Sequence, residues 1–381
     1  MRVSQLDTQS FQPPKRTLLG PGPSDVPQRI LDAMARPTLG HLDPEFVKMM
    51  DEVKALLRYA FQTTNEMTMA ISAPGSAGME MCVVNLVEPG EKVIVCRNGV
   101  FGGRMAENVI RCGGVPVILD FEWGQPVDPN IVEEALKANP DAKAVGFVHA
   151  ETSTGVRSDA QTLAKLAHDH DCLVIVDTVT SLGGIPVLLD EWELDAVYSG
   201  TQKCMSCTPG LSPVSFSERA VEKVKNRTTK VQSWFLDLNL LMGYWGTNTK
   251  RAYHHTAPVN ALYGLHEALV ILNEEGLENS WKRHQENHLL LKDKLAPLGM
   301  EFFVEEAYRL PQLNAMRIPE GVDEAAVRKQ LLNDYSLEIG GGLGPMAGKI
   351  WRIGLMGNSS TPENVNKLSN ALSTIFQPTN A

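Results

Sequence analysis

Two charged side chains, Asp177 and Lys203, give the first indication of chemistry in this chain. Asp177 closes the apolar run LVIVD, and Lys203 stands in the small polar stretch YSGTQKCMSCTPG, residues 198–210. A carboxylate at the end of a buried strand is costly unless a cation faces it. One loop and one strand separate the two residues, so they can flank one ligand. Alone, Asp177 is equally well explained as a helix cap, and Lys203 is better explained as a solvated loop lysine.

A third feature is the turn SAPGSAG, residues 72–78, between a predicted strand and a predicted helix. The backbone N–H groups of Gly75 and Ser76 at a helix start can bind a phosphate. By itself a plain strand–helix turn is the commoner explanation, and the ending of a Walker loop is missing. Together, the three features fit pyridoxal phosphate. This cofactor requires a Schiff-base lysine opposite an acid that keeps its pyridine nitrogen protonated.

Short apolar runs alternate with helical patterns from about residue 67 to residue 200, and these elements must position the candidate residues. Runs that are apolar throughout predict strands buried on both faces, as in parallel sheets covered by helices. The large domain is therefore predicted to be α/β, with its ligand at the carboxyl ends of the strands.

The pattern changes in the last part of the chain. It becomes helical from about residue 259, a helix beginning near Leu277 can link two domains, and three short strands flanked by helices follow after residue 300. We predict an N-terminal arm at 1–16, a large domain at 17–276 and a small α+β domain at 277–381.

Composition excludes several classes of protein. The chain has 381 residues with a net charge of −10, whereas a broad nucleic-acid footprint needs positive charge. No apolar run approaches the roughly 20 residues of a membrane helix, and the first residues lack the pattern of a signal peptide. We therefore expect no nucleic-acid partner, no membrane association and a cytoplasmic location. The cysteine usage also suits a reducing compartment, since Cys82, Cys96 and Cys172 sit in apolar runs.

Cys204 and Cys207 stand in C-x-x-C spacing directly after Lys203. One such pair supplies only half of a four-ligand zinc site, and no partner pair is evident. A redox role would place the motif at the first turn of a helix after an early strand. We therefore interpret the two thiols as structural and expect no metal.

Nine short motifs in one order carry a family resemblance. They are SAPGSAGME, NGVFGGR, HAETSTGV, VDTVTSLGG, YSGTQKC, AYHHTAPV, GLENSW, GGLGP and WRIG. The chain resembles the alanine–glyoxylate and serine–pyruvate aminotransferases, which belong to the class V branch of the fold type I pyridoxal-phosphate enzymes. The resemblance extends from about residue 17 to 376. It implies a large domain with a mostly parallel sheet of the seven-stranded type, a smaller C-terminal domain, and pyridoxal 5′-phosphate as cofactor.

The resemblance also implies roles for residues around the cofactor. Lys203 matches the Schiff-base lysine that also moves the proton, and Asp177 matches the partner of the pyridine nitrogen. Gly75 and Ser76 match phosphate N–H donors, and Gln202 joins them.

Other matching residues surround the ring and the substrate. Phe101 matches the residue that stacks on the ring, and Thr152 matches a hydroxyl residue near the ring's 3-oxygen and the substrate. Arg352 matches the arginine that holds the substrate carboxylate, although without the family pattern a surface ion pair is the better explanation. Gly22 matches a turn that lines the substrate pocket.

The resemblance further implies a homodimer, because Tyr253 and Thr256 match residues that reach the phosphate of the other subunit. The chain departs from the animal enzymes at three positions. Phe101 replaces a tryptophan, Pro74 replaces a serine, and Ser76 replaces a histidine. The departures at Pro74 and Ser76 can change the phosphate contacts and the shape of the pocket, so they bear on the substrate more than on the cofactor.

The expected activity is a ping-pong transamination from alanine or serine to glyoxylate or pyruvate. Small neutral donors are favoured because the sequence shows no clear second arginine for a side-chain carboxylate. The alternatives are another class V reaction, such as 3-hydroxykynurenine transamination or a lyase reaction, and a catalytically silent ligand-binding protein. A desulfurase-type lyase needs a loop cysteine, and the region 340–348 has none. The joint presence of Lys203, Asp177 and Arg352 disfavours the silent protein.

Overall fold

Seven short strands form the central sheet in a computed structural model that describes residues 5–246 and 251–376. Labelled by their order along the chain, and taken from one edge of the sheet to the other, these strands are β2 (Met67–Ile71), β10 (Ser212–Phe216), β9 (Ala196–Tyr198), β8 (Leu173–Asp177), β5 (Ala144–Val148), β3 (Lys92–Arg97) and β4 (Val115–Asp120). Strand β10 runs antiparallel to both of its neighbours, and the strands from β9 to β4 run parallel to one another. The prediction of an α/β fold with a mostly parallel sheet is confirmed.

Helices cover the sheet and connect most of its strands along the chain. They are α1 (Gln28–Met34), α2 (Pro44–Phe61), α3 (Gly75–Leu86), α4 (Val100–Arg111), α5 (Pro129–Ala138), α6 (Ala160–Asp169), α7 (Glu218–Lys225), α8 (Leu238–Trp245), α9 (Val259–Glu275), α10 (Leu277–Leu295), α11 (Glu324–Tyr335) and α12 (Pro362–Phe376). In the described part of the chain, no helix combines the length and the apolar character that crossing a bilayer requires.

Aspartates begin several of these helices by accepting a hydrogen bond from a first-turn N–H group. Asp43, Asp128 and Asp159 do so for α2, α5 and α6. Helices α3 and α4 differ, because their N-cap residues are Pro74 and Gly99 and neither provides a side-chain cap. The two helices that directly follow β2 and β3 therefore begin with N–H groups that their own caps leave available.

Short strands build the remainder of the structure. They are β1 (Thr17–Leu18), β6 (Ala150–Glu151), β7 (Val156–Arg157), β11 (Leu313–Arg317), β12 (Leu337–Glu338), β13 (Gly340–Gly341) and β14 (Ile350–Gly354). Strands β11, β14 and β13 form an antiparallel sheet, β6 pairs with β7, and β1 pairs in parallel with β12.

The buried apolar side chains form two main cores. The larger core surrounds the central sheet, and the smaller one is built by residues between 291 and 372 together with Leu19. Helix α10 reaches both, since Leu277 belongs to the larger core and Leu291 and Leu295 belong to the smaller. The division into an arm at 1–16 and two domains at 17–276 and 277–381 remains a prediction.

Candidate active site

One cavity at the carboxyl edge of the central sheet collects most of the predicted site residues. The cavity measures about 210 Å³. The predicted residues that line it are Gly75, Ser76, Phe101, Thr152, Asp177, Gln202 and Lys203. A larger cavity of about 880 Å³, lined in part by Trp192 and Tyr308, contains none of the predicted residues.

Asp177 is the last residue of β8 and is 3% exposed. Its Oδ1 accepts the N–H of Val179 at 2.9 Å, and its Oδ2 accepts the hydroxyl of Tyr198 at 2.8 Å. Burial raises the pKa of Asp177 to about 7, although these two donors oppose the shift. A cation placed against this carboxylate would therefore restore its ionised form.

Lys203 follows β9 and enters the same cavity with 9% of its surface exposed. Burial, and then the nearby charge of Arg352, lower the pKa of Lys203 to about 8. Its Nζ donates a hydrogen bond to the carbonyl of Pro21. The pKa of this amine is thus lowered toward neutral pH, which favours the unprotonated state that a nucleophilic lysine needs.

Gly22 leaves the space that the Lys203 side chain occupies. A Cβ at position 22 would lie 2.5 Å from Cδ and 2.6 Å from Nζ of Lys203. The backbone at Gly22 has a φ of +99°, which glycine adopts without strain. The close approach and the backbone conformation both require glycine at this position.

The first turn of α3 faces the cavity through Gly75 and Ser76. A Cβ at Gly75 would lie 3.3 Å from the carbonyl oxygen of Ser199, so the helix start packs closely on the strand ends. An uncapped helix terminus presents free N–H groups and a partial positive charge, which suits a phosphate.

Gln202 supplies a second polar group at this end of the cavity. Its Oε1 is buried and has no hydrogen-bond partner among the described residues. A buried amide oxygen without a partner is unfavourable. A ligand that donates to Gln202, or that turns its amide to use the N–H₂ group, would remove this penalty.

Arg352 lies on β14 and is 7% exposed. It does not itself line the cavity, but it contacts Thr152, which does. Its Nη1 donates to the carbonyl of Thr152 at 3.3 Å, and its Nε donates to that of Gly341 at 2.7 Å. Burial lowers the pKa of Arg352, and the charge of Glu151 opposes this shift. The guanidinium is thus fixed beside Thr152 and can receive an anion.

Tyr253 and Thr256 do not line the cavity. Both are exposed, and Tyr253 exposes 63% of its surface. Their neighbour His255 contacts Ser72 Oγ through Nε2 at 2.7 Å, so this segment runs beside the turn that precedes α3.

The cysteines lie buried as free thiols throughout the described chain, Cys204 and Cys207 included. Cys204 Sγ donates weakly to the carbonyl of Thr180 at 3.5 Å. The described residues contain no group of three or more histidine, cysteine or acidic side chains able to hold a metal ion.

Sequence reasoning missed three residues of the site. Tyr198 lies opposite Asp177 in the β8–β9 pair, and the sequence does not show this register. Arg104 lines the cavity, and its Cζ lies 4.8 Å from the ring centre of Phe101. The sequence signal for this contact was the spacing of three residues between Phe101 and Arg104 on one helix. Glu151 is fully buried beside Thr152, and no sequence pattern indicated its role.

Known proteins match this chain over most of its length. The family model for class V aminotransferases matches residues 17–368. A Drosophila melanogaster alanine–glyoxylate aminotransferase is 40% identical over 367 residues, which are 96% of this chain and 93% of the fly protein. A Bacillus subtilis (S)-ureidoglycine–glyoxylate transaminase is 35% identical over 371 residues, covering 92% of this chain and 88% of the relative.

A solved structure agrees with these relatives. The crystal structure of an alanine–glyoxylate aminotransferase from Nostoc sp. superposes with a TM-score of 0.95 at 45% identity. The match covers 97% of each chain.

Proposed function

The chain belongs to the class V aminotransferase family, and we propose that it moves the amino group of alanine or serine to glyoxylate or pyruvate. It is a transaminase that uses pyridoxal 5′-phosphate. The observation that carries the proposal is the placement of Lys203 and Asp177 in one cavity, beside an uncapped helix start and an unsatisfied amide oxygen. The relatives are named for transamination with glyoxylate, which does not favour the 3-hydroxykynurenine or lyase alternatives.

The residues of the cavity fit the cofactor at each of its polar groups. The N–H groups of Gly75 and Ser76, with the amide of Gln202, would hold the phosphate. Asp177 would face the pyridine nitrogen, and its ionised form would be stabilised by the positive charge there. Phe101 would cover one face of the ring, because a phenyl ring can stack as the family's tryptophan does.

When bound, pyridoxal phosphate withdraws electrons from the substrate and makes the proton on Cα labile. Lys203 Nζ would take that proton and carry it during the transfer, since its lowered pKa leaves part of the amine unprotonated near neutral pH. The carbonyl of Pro21 accepts a hydrogen bond from this nitrogen and orients it.

Arg352 would bind the α-carboxylate of both the amino acid and the keto acid. Its planar guanidinium can make two parallel hydrogen bonds to a carboxylate. Thr152 stands beside it and would contact the substrate and the ring oxygen. Arg104 is an arginine that lines the cavity, and its guanidinium already contacts the Phe101 ring. We therefore propose small neutral donors, which need no arginine for a second carboxylate.

A homodimer forms part of the proposal. Tyr253 and Thr256 are exposed and lie outside the cavity of their own chain, which is the placement expected of residues that serve the other subunit. They would reach the partner's phosphate and complete its binding site.

We further propose a cytoplasmic enzyme, on the ground that its cysteines are buried free thiols.

A panel of amino donors against glyoxylate and pyruvate, followed by formation of the keto acid, tests the substrate assignment. We expect alanine or serine to exceed aspartate and glutamate in kcat/KM by roughly tenfold or more, because a second carboxylate would lack a partner. Equal use of the dicarboxylic donors would contradict the proposed specificity. Absence of turnover with every donor would contradict the activity.

A further inference from the structure

Helix α4 begins at the wall of the cavity without a cap of its own. Its N-cap residue, Gly99, has no side chain to offer. Two of its first N–H groups are instead satisfied by side chains from the segment that follows β5. Val100 N donates to Ser153 Oγ at 3.0 Å, and Phe101 N donates to Glu151 Oε2 at 3.1 Å.

Glu151 and Ser153 also bind each other. The hydroxyl of Ser153 donates to Glu151 Oε1 at 2.5 Å, and the Ser153 N–H donates to the same oxygen at 3.0 Å. Both oxygens of the carboxylate are therefore used, although Glu151 is 0% exposed. The positive end of a helix dipole is a favourable place for a buried carboxylate, and this explains how the fold tolerates one at this junction.

The junction is too tight for any side chain at position 99. A Cβ on Gly99 would lie 2.5 Å from Ser153 Oγ and closer still to Cγ and Cδ of Glu151. The glycine lets the carboxylate approach the helix backbone directly.

The turn of helix held in this way carries the residues that face the cavity. Phe101 is the second residue of α4, and its own N–H is the group that Glu151 accepts. Arg104 follows one turn later and lies against the Phe101 ring. A displacement of the helix start would move both residues relative to the cavity.

Glu151 also acts on the charges of the site. Its negative charge raises the pKa of Arg352 against the effect of burial, and it contributes to the raised pKa of Asp177. Burial raises the pKa of Glu151 overall, although the donors just described oppose this shift. Two acids, Glu151 and Asp177, therefore stand near two cationic groups, Lys203 and Arg352.

We propose that Glu151 is a positioning residue, whose buried carboxylate acts with Ser153 as the external cap of α4 and fixes Phe101 against the cofactor ring. This inference rests on the proposed function, because the ring that Phe101 covers is that of pyridoxal phosphate. It adds a residue that touches neither the cofactor nor the substrate but acts through one that does.

The test compares Glu151→Gln and Ser153→Ala with Glu88→Gln as a matched control. Glu88 is a suitable control because its Oε1 accepts the N–H groups of Thr228 and Thr229 at 2.9 and 2.8 Å, and it does not line the cavity. The measurements are the dissociation constant for pyridoxal phosphate on the cofactor-free protein, the visible circular dichroism of the bound cofactor, and the unfolding midpoint without cofactor.

We expect Glu151→Gln to weaken cofactor binding roughly tenfold and to change the visible dichroism, since loss of a stacked aromatic contact has about this size. Ser153→Ala should change both in the same direction by less. Glu88→Gln should lower the unfolding midpoint but leave both cofactor measurements unchanged.

Two results would overturn the inference. One is a Glu151→Gln protein that is less stable but binds the cofactor with wild-type affinity and dichroism. If Glu151→Gln does not fold, the inference is overturned when Ser153→Ala binds the cofactor with wild-type affinity and dichroism. Failure of the wild-type protein itself to bind pyridoxal phosphate would instead contradict the proposed function, so the two failures are distinguishable.

Discussion

At the scale of single residues, the cavity holds an acid and an amine that burial drives toward their neutral forms. The pKa of Asp177 is raised to about 7 and that of Lys203 is lowered to about 8. Burial penalises the charged form of each group, and the cation and anion do not fully compensate each other. A ligand that brings a positive ring nitrogen to Asp177 and a carbonyl carbon to Lys203 would satisfy both.

Replacement of Lys203 by alanine tests its role as the attachment point of the cofactor. We expect Lys203→Ala to lose the visible absorption of the bound cofactor and to lower kcat by at least about 10²-fold, because a positioned proton carrier contributes that much. Lys225→Ala, at an exposed lysine on α7, should match the wild type in both measurements. A Lys203→Ala protein with the wild-type spectrum would remove this lysine from the site.

The raised pKa of Asp177 predicts a pH dependence of stability in the cofactor-free protein. Because the folded-state pKa lies above the unfolded value of 3.8, the stabilising contribution is complete below about 4 and is lost as the pH rises through about 7. Urea unfolding at pH 5 and pH 8 should show this loss in the wild type. In Asp177→Asn it should be smaller, by on the order of 1–4 kcal/mol. Equal pH slopes in the two proteins would show that this carboxyl does not titrate as described.

Residue types at strand ends predicted that Lys203 and Asp177 can flank one ligand, because the carboxyl ends of parallel strands meet at one edge, and both residues line the same cavity. Tyr198 was not predictable in this way. Its contact with Asp177 depends on the register of β8 against β9, which places the two residues opposite each other. Glu151 was missed for a similar reason, since its contact with Phe101 N joins it to α4, 50 residues earlier in the chain.

At the scale of elements, the two helices that begin at the cavity lack the side-chain caps found at several other helices. Helices α2, α5 and α6 begin with an aspartate whose carboxylate satisfies a first-turn N–H group. At the cavity, α3 has proline at that position and α4 has glycine. The missing caps leave N–H groups for other acceptors, namely Glu151 and Ser153 at α4 and the proposed phosphate at α3.

The turn at Gly22 gives a prediction at this scale. Gly22→Ala would place a methyl group within 2.6 Å of Lys203 Nζ at a φ of +99°. We expect activity to fall by more than about tenfold, because the displaced amine no longer reaches its reactive position. Gly90→Ala is the matched control, since Gly90 has a φ of +85° and no atom within 4 Å of the added Cβ.

Both glycine variants should lose a similar amount of stability, because each forces alanine into the left-handed region. Equal activities of Gly22→Ala and Gly90→Ala, measured with saturating cofactor, would contradict the argument from close approach.

Strand β10 shows why part of the sheet was not predictable. Its sequence, SPVSF, has no apolar run, yet all five residues are buried. Buried hydroxyl groups explain this, since Ser212 Oγ donates to Ser199 O at 2.7 Å and Ser215 Oγ lies 2.9 Å from Thr68 Oγ1. These partners belong to other segments, so the local pattern gave no sign of a strand.

At the scale of the whole molecule, the exposed side chains of Tyr253 and Thr256 predict that an active site is shared between two chains. Mixing Lys203→Ala with Tyr253→Ala chains tests this directly. In a hybrid dimer, one cavity would combine the intact Lys203 of one chain with the intact Tyr253 of the other. We expect activity to rise above that of either parent protein, up to about half the wild-type value per dimer.

The control is a mixture of Lys203→Ala with Asp177→Asn chains, whose defects lie within the same cavity of each chain. It should show no recovery. If the mixture that contains Tyr253→Ala also recovers no activity, Tyr253 does not contribute to the active site of the other chain.

The segment from Thr17 to Gly22 runs from the smaller core to the side chain of Lys203. Strand β1 pairs with β12 at Leu337, Gly354 N donates to Leu19 O at 2.8 Å, and Pro21 O accepts from Lys203. A ribosome releases β1 among the first residues and β12 only near the end of translation. The strands of the central sheet are therefore all synthesised before β12 and β14, the two strands that hold β1 and Leu19. A polypeptide that ends before β12 would lack these partners of β1 and Leu19, while its Pro21 and Lys203 would both be present.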